Sequence, residues 1–191
     1  VQAVRRILGL SRRVAVGGSR SGGAGSICLI TPELTEVDGQ LQARVTVPSP
    51  VIVTAGPLNE LSVLRDGRVI YRKLASSSEA IVTPFSWPLP PLQGGEQLTL
   101  KLRPRGAAGG SAARIPLVVA SADVLRRNEA LLEREQESGG QGTNAGGLAA
   151  GISPALQAQV VFAATTGTGP GESQADNTEI ARMIREQACK E

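Results

Sequence analysis

The chain has 191 residues and a formal net charge of +3, and its glycine (23) and proline (12) content stands well above the share of about 12% in an average protein. Histidine is absent, which excludes Ser-His-Asp and Cys-His nucleophilic catalysis and His-ligated zinc or haem. No apolar run approaches the roughly 20 residues of a membrane-spanning helix.

In chain order, residues 1–10 suit a short basic amphipathic helix with Val4, Ile7 and Leu8 on one side, and residues 17–26 form a Gly/Ser-rich linker. The first acidic residue is Glu33; before it stand Arg5, Arg6, Arg12, Arg13 and Arg20. Such an arm suits an anion: phosphate, a lipid head or an acidic partner. A solvated, flexible arm is the plainer reading. The chain opens on Val1 rather than Met, so a preceding segment, an export signal or another boundary, is expected to have been removed.

From residue 27 the period becomes that of strands. Residues 27–30 form an apolar run ended by Thr31-Pro32; residues 41–47 alternate; residues 51–54 resume as a β-branched run. Two strand-like runs flank Asp66-Gly67 in residues 61–71, the signature of a tight hairpin. Residues 80–83 are a further strand candidate, and the proline-rich residues 84–91 an edge or loop. Residues 98–103 alternate again, and residues 115–120 close the series after a Gly/Ala loop. About seven short strands with turn signals predict a mainly β protein: a small immunoglobulin-like antiparallel β-sandwich, with a partly open barrel as the other arrangement. Phe85 and Trp87 are the expected large core residues, with Tyr71 near them; a ligand-stacking patch is the other reading of these three.

After Ser121 the period is helical, with Val124, Leu125, Leu131 and Leu132 among charged residues and Ser121 or Asp123 as cap. A Gly-rich linker over residues 138–151 leads to Ser153-Pro154, an N-cap followed by proline at the first helical position, and an apolar helix over residues 155–164. The last helix is expected to open at Asp176, with Glu179 in capping-box spacing. The expected organisation is a basic flexible arm (1–26), the sandwich (27–120) and a short helical, linker-rich tail (121–191). The stripes Leu156, Val160, Phe162 and Ile180, Met183, Ile184 exceed what their own helices can bury. They either pack on the sandwich or dock a protein partner or a second copy, and docking is the expectation.

The glycines of residues 17–25 lack the Lys-Ser/Thr of a phosphate loop, and Gly171-Glu172-Ser173-Gln174-Ala175 lacks the second glycine of a nucleophile elbow. Carboxylate groups at Glu33, Glu36 and Asp38, expected in a turn, and at Glu133, Glu135 and Glu137, at a helix end, are the only acid/base candidates, without a surrounding aromatic sugar platform. The sequence offers no metal-ligand set and no cofactor motif. Cys28 and Cys189 lack metal-ligand spacing; they either form one disulfide across a very long loop or remain a buried and an exposed thiol.

Three stretches resemble an uncharacterised family of exported cyanobacterial proteins, a domain of unknown function: Arg13-Val14-Ala15-Val16-Gly17-Gly18-Ser19-Arg20, Cys28-Leu29-Ile30-Thr31-Pro32-Glu33, and Arg68-Val69-Ile70-Tyr71-Arg72 with the Pro- and Leu-rich segment 88–102 at fitting spacing. The resemblance covers roughly residues 12–120. It implies an immunoglobulin-like sandwich in the cell envelope followed by a helical tail, and it carries over no catalytic residue. The expected function is therefore a non-catalytic periplasmic or extracellular module that engages a protein partner through sandwich edges or tail helices. The alternative is a cytoplasmic nucleic-acid- or ribosome-associated protein using the Arg-rich arm.

Overall fold

Alternating apolar residues assemble two sheets in the computed structural model, which describes residues 12–15, 26–107, 111–137, 153–164 and 172–189. The strands are β1 (Arg12–Ala15), β2 (Ser26–Thr31), β3 (Glu33–Val37), β4 (Gln40–Val45), β5 (Val51–Thr54), β6 (Leu58–Arg65), β7 (Arg68–Leu74), β8 (Phe85–Ser86), β9 (Gln97–Pro104) and β10 (Ala113–Val119). The helices are α1 (Ala122–Glu137), α2 (Pro154–Ala164) and α3 (Glu172–Gln187). One sheet has the order β1-β2-β5-β8, the other β3-β4-β10-β9-β6-β7. In immunoglobulin lettering, β2-β5-β8 stand as A-B-E and β10-β9-β6-β7 as G-F-C-C′. The protein is thus mainly β, an immunoglobulin-like sandwich. All pairs are antiparallel except β4 with β10, which run parallel.

Two hairpins set the register of the larger sheet. At Asp66-Gly67 between β6 and β7, and at Asp38-Gly39 between β3 and β4, both central residues have positive φ (50° and 75°, 52° and 75°). That is the requirement of a type I′ turn, whose twist matches that of the flanking strands. The second hairpin corrects the sequence reading: Glu33 and Glu36 lie in a strand rather than a turn. In the four-stranded sheet the short edge strand β1 pairs with β2 over Arg12–Ala15, inside the segment expected to be a flexible arm. The helix expected over residues 1–10 lies outside the described residues. The Pro-rich segment contributes β8, paired with β5. The candidate strand at 80–83 is reduced to one bridge, Ile81 to Leu58.

The inter-sheet core is aliphatic. Leu29 and Ile52 from one sheet meet Leu61, Val63, Leu100, Leu102, Ile115 and Leu117 from the other. Tyr71, Phe85 and Trp87 pack only at its margin, partly buried. The Tyr71 and Phe85 rings stand 6.2 Å apart, Lys73 Nζ lies 5.0 Å from the Phe85 centroid, and the Trp87 indole donates to Pro90 O at 3.1 Å. The fully buried aromatic is Phe162, which belongs to a second core.

That second core lies on the opposite face of the four-stranded sheet. Ile30, Val51 and Val53 meet Ala158, Val161 and Phe162 of α2 and Ala181, Ile184 and Ala188 of the C-terminal segment. All four residues of β5 are buried because both of its faces are covered. Ser153 caps α2 as expected, its hydroxyl accepting from Leu156 N at 3.2 Å. Gln159 then reaches the edge of β5: its side-chain oxygen accepts from Val51 N at 2.7 Å. α3 begins at Glu172, so Asp176 sits within the helix rather than at its start. α1 closes one end, with Leu125 in the inter-sheet core and Asn128 donating to Thr46 O at 2.9 Å. Leu156 joins Val47, Leu131 and Leu132 in a small third cluster that ties α2 to α1.

Candidate binding surface

The apolar stripes of the last two helices are spent inside the molecule. Leu156, Phe162 and Ile184 are fully buried, and Ile180 and Met183 are half-buried against the second core, so these five do not form the exposed docking face expected of them. Val160 is half-buried on the same helix. The physical reason is proximity. The bare outer face of β2 and β5 is apolar and covalently linked to these helices, so it competes for them at a high effective concentration.

A disulfide fixes the arrangement. Cys28 in β2 and Cys189, just beyond α3, are bonded with their Cα atoms 6.0 Å apart. On α3 itself Arg182 pairs with Glu179 and Glu186, both at 2.6 Å. The hydrogen bond from Arg182 holds the exposed Glu179 carboxyl below its ordinary pKa. Arg185 lies 5.8 Å from the Phe162 centroid, and burial lowers its pKa. Of the arginines assigned to anion binding, Arg12 and Arg13 lie in β1, while Arg5, Arg6 and Arg20 fall outside the described residues.

No helix among the described residues covers the outward side of the six-stranded sheet around β6, and polar side chains converge there. Two-residue alternation in β6 sends Leu61 and Val63 into the core and Glu60 and Ser62 outward. The register sets Ser62 between Arg72 of β7 and Lys101 of β9, and Glu60 beside Arg103. Lys101 Nζ and the Ser62 hydroxyl both donate to Glu60 Oε1 at 2.9 Å. Arg72 Nε and Arg103 Nε lie 3.5 and 3.6 Å from the same carboxylate. Glu60 is 5% exposed. Burial alone would raise its pKa, but the hydrogen bonds from Lys101 and Ser62 and the charges of Lys101 and Arg72 outweigh that, and the carboxyl titrates below its ordinary value. A carboxylate held ionised in this way is a poor proton donor near neutral pH. Its role is to anchor a patch of three cations around one anion.

Sequence reasoning missed Glu60. The alternation of Leu100 and Leu102 with Lys101 and Arg103 marks a polar face on β9, but the strand that supplies the counter-charge is fixed only by sheet order.

The two edges of this sheet are also accessible. β3 and β7 are the outermost strands, and among the described residues four of the five exposed large apolar side chains lie on them: Val37 on β3, and Val69, Ile70 and Leu74 on β7. Among the described residues, no cluster of three or more His, Cys, Asp or Glu side chains could hold a metal ion, and no helix is long and apolar enough to cross a membrane.

No family model matches the chain, and no curated protein matches it. Among solved structures, the fibronectin(III)-like modules of Clostridium thermocellum CbhA are similar at 15% identity over 47% of this chain and 95% of that one, with a TM-score of 0.25. So low a score adds no weight to the strand order, on which the fold assignment stands.

Proposed function

We propose that the protein is a non-catalytic binding or structural module of the periplasm or cell exterior, engaging a protein partner through the edges of its sandwich. The observation that carries this reading is the exposed apolar residues at the sheet edges, three on β7 and one on β3, while the helical stripes are consumed internally. The Cys28–Cys189 bond supports the compartment, because such bonds persist where the surroundings are oxidising. The resemblance to exported cyanobacterial proteins points the same way. The Glu60 carboxylate, saturated by cations, supports a structural rather than an acid/base role.

Fractionation of the native protein, resolved on reducing and non-reducing gels, tests the reading. Recovery from the periplasm or medium with the two cysteines bridged is the expected result. Recovery from the cytosol with free thiols would overturn it. The Arg-rich arm would then take precedence, and binding to mixed RNA and DNA at two salt concentrations would be the next measurement.

A further inference from the structure

The free edges of the six-stranded sheet are chemically opposite. β7 carries Arg68, Arg72 and Lys73; β3 carries Glu33 and Glu36 and leads into Asp38. Among the described residues, no ion pair involves Arg68, Lys73, Glu33, Glu36 or Asp38. Nor does any residue of β3 or β7 make a backbone hydrogen bond outside its own ladder. Apolar side chains also stand in water at the edges, one on β3 (Val37, 46% exposed) and three on β7 (Val69 46%, Ile70 38% and Leu74 55%).

Strand directions add a constraint. Following the pairings from β3 through β4, β10, β9 and β6 to β7 gives three antiparallel reversals beyond the β3–β4 hairpin and one parallel step, so β3 and β7 point the same way. A second copy in the same orientation therefore lays its β3 parallel to the first copy's β7, with both six-stranded sheets in one layer.

We propose that the partner at these edges is a second copy of this chain, with β7 of one molecule pairing with β3 of the next to extend the sheet head to tail. The inference rests on the reading of the sandwich edges as the binding surface. Edge charges are a common guard against uncontrolled strand pairing. Here their signs make the guard selective: β7 against β7 sets cation against cation, β3 against β3 sets carboxylate against carboxylate, and only β7 against β3 is complementary. Each copy keeps one edge of each kind, so the contact is heterologous and builds an open array rather than a closed dimer.

Sedimentation velocity of the full, disulfide-bonded chain over a wide concentration range tests this. The expected result is a mass that rises with concentration, with association at least about tenfold weaker when salt is raised from about 50 to about 500 mM. Arg68→Glu with Lys73→Glu leaves both edges acidic, and Glu33→Lys with Glu36→Lys leaves both basic. Each double variant alone is expected to lose association by at least about tenfold, and an equimolar mixture to regain it. Circular dichroism matching the parent protein establishes that both are folded. A parent protein monomeric at every concentration, an association indifferent to salt, or a mixture that does not recover would each overturn the proposal. A monomer recovered from the periplasm would defeat self-assembly and leave the module reading standing; an assembling protein recovered from the cytosol would do the reverse.

Discussion

Reduction of the Cys28–Cys189 bond is the perturbation whose effect follows most directly from the chain's connectivity. The two cysteines are 161 residues apart, so the bond encloses nearly the whole described fold, from β3 through α3. In the chain-entropy picture a closed loop of this length removes about 17 cal/mol/K from the unfolded chain, or about 5 kcal/mol at 25 °C, and measured bonds more often deliver about 2–4 kcal/mol. With a urea dependence of about 2 kcal/mol/M, the midpoint should fall by about 1–2 M on reduction. The single tryptophan, Trp87, packs at the margin of the inter-sheet core and reports on the sandwich rather than on α3. Urea titration of Trp87 fluorescence, oxidised against reduced and repeated with Cys28→Ser, is the assay. The expected outcome is one shifted transition. A midpoint that moves by less than about 0.3 M, where about 1–2 M is due, would refute the reasoning. It would mean that α3 leaves its seat independently and that sandwich and helices are not one cooperative unit.

Phe162→Ala empties the centre of the second core, where the ring is fully buried, and should cost about 3–5 kcal/mol by chemical denaturation. Glu60→Gln should cost about 1–2 kcal/mol at neutral pH by removing charge-assisted hydrogen bonds. Because the folded Glu60 pKa is lowered from 4.5, its stabilisation is present above that value and is lost as the pH falls through the folded pKa. Urea midpoints of parent and variant should therefore converge in acid, and a constant gap across pH would count against the ion cluster. Gly94→Ala would set a Cβ 2.3 Å from the backbone nitrogen of Ala122 at the start of α1, and a melting experiment should show a loss of about 1–3 kcal/mol. Gly67→Ala, at φ 75° in the β6–β7 turn, should lose about 1–2 kcal/mol in the same experiment.

Much of the sandwich was legible because its information is local. Alternation in residues 98–103 and the Asp66-Gly67 hairpin depend on near neighbours, and both stand in the structure. The same dipeptide signal at Asp38-Gly39 marks the β3–β4 hairpin, but Glu33 and Glu36 disguise the strand before it. The run Val-Ile-Val-Thr of β5, apolar without alternation, carried a further clue: a strand buried on both faces needs a second cover. That cover is the pair of helices whose stripes also suited an external partner. Sequence states that an apolar face must be buried, not against what. Cys28 and Cys189 left two outcomes open for the same reason, since their approach depends on where α3 lands. Glu60 depends on the order of β7, β6 and β9 in the sheet, which no single segment encodes.

The second core also sets a timetable for synthesis. A chain emerging from its N-terminus has every strand of both sheets before α2 and α3 arrive, and Cys189 comes 161 residues after its partner. Throughout that interval Ile30, Val51 and Val53 present an uncovered apolar flank on an otherwise formed body. The nascent protein is thus at its most adhesive before α2 and α3 have emerged, when a chaperone or a neighbouring chain can occupy the seat meant for Phe162 and Ile184. Oxidation then acts as a latch: once it closes, the seat is filled by the molecule's own α2 and α3, and the window for misassociation ends.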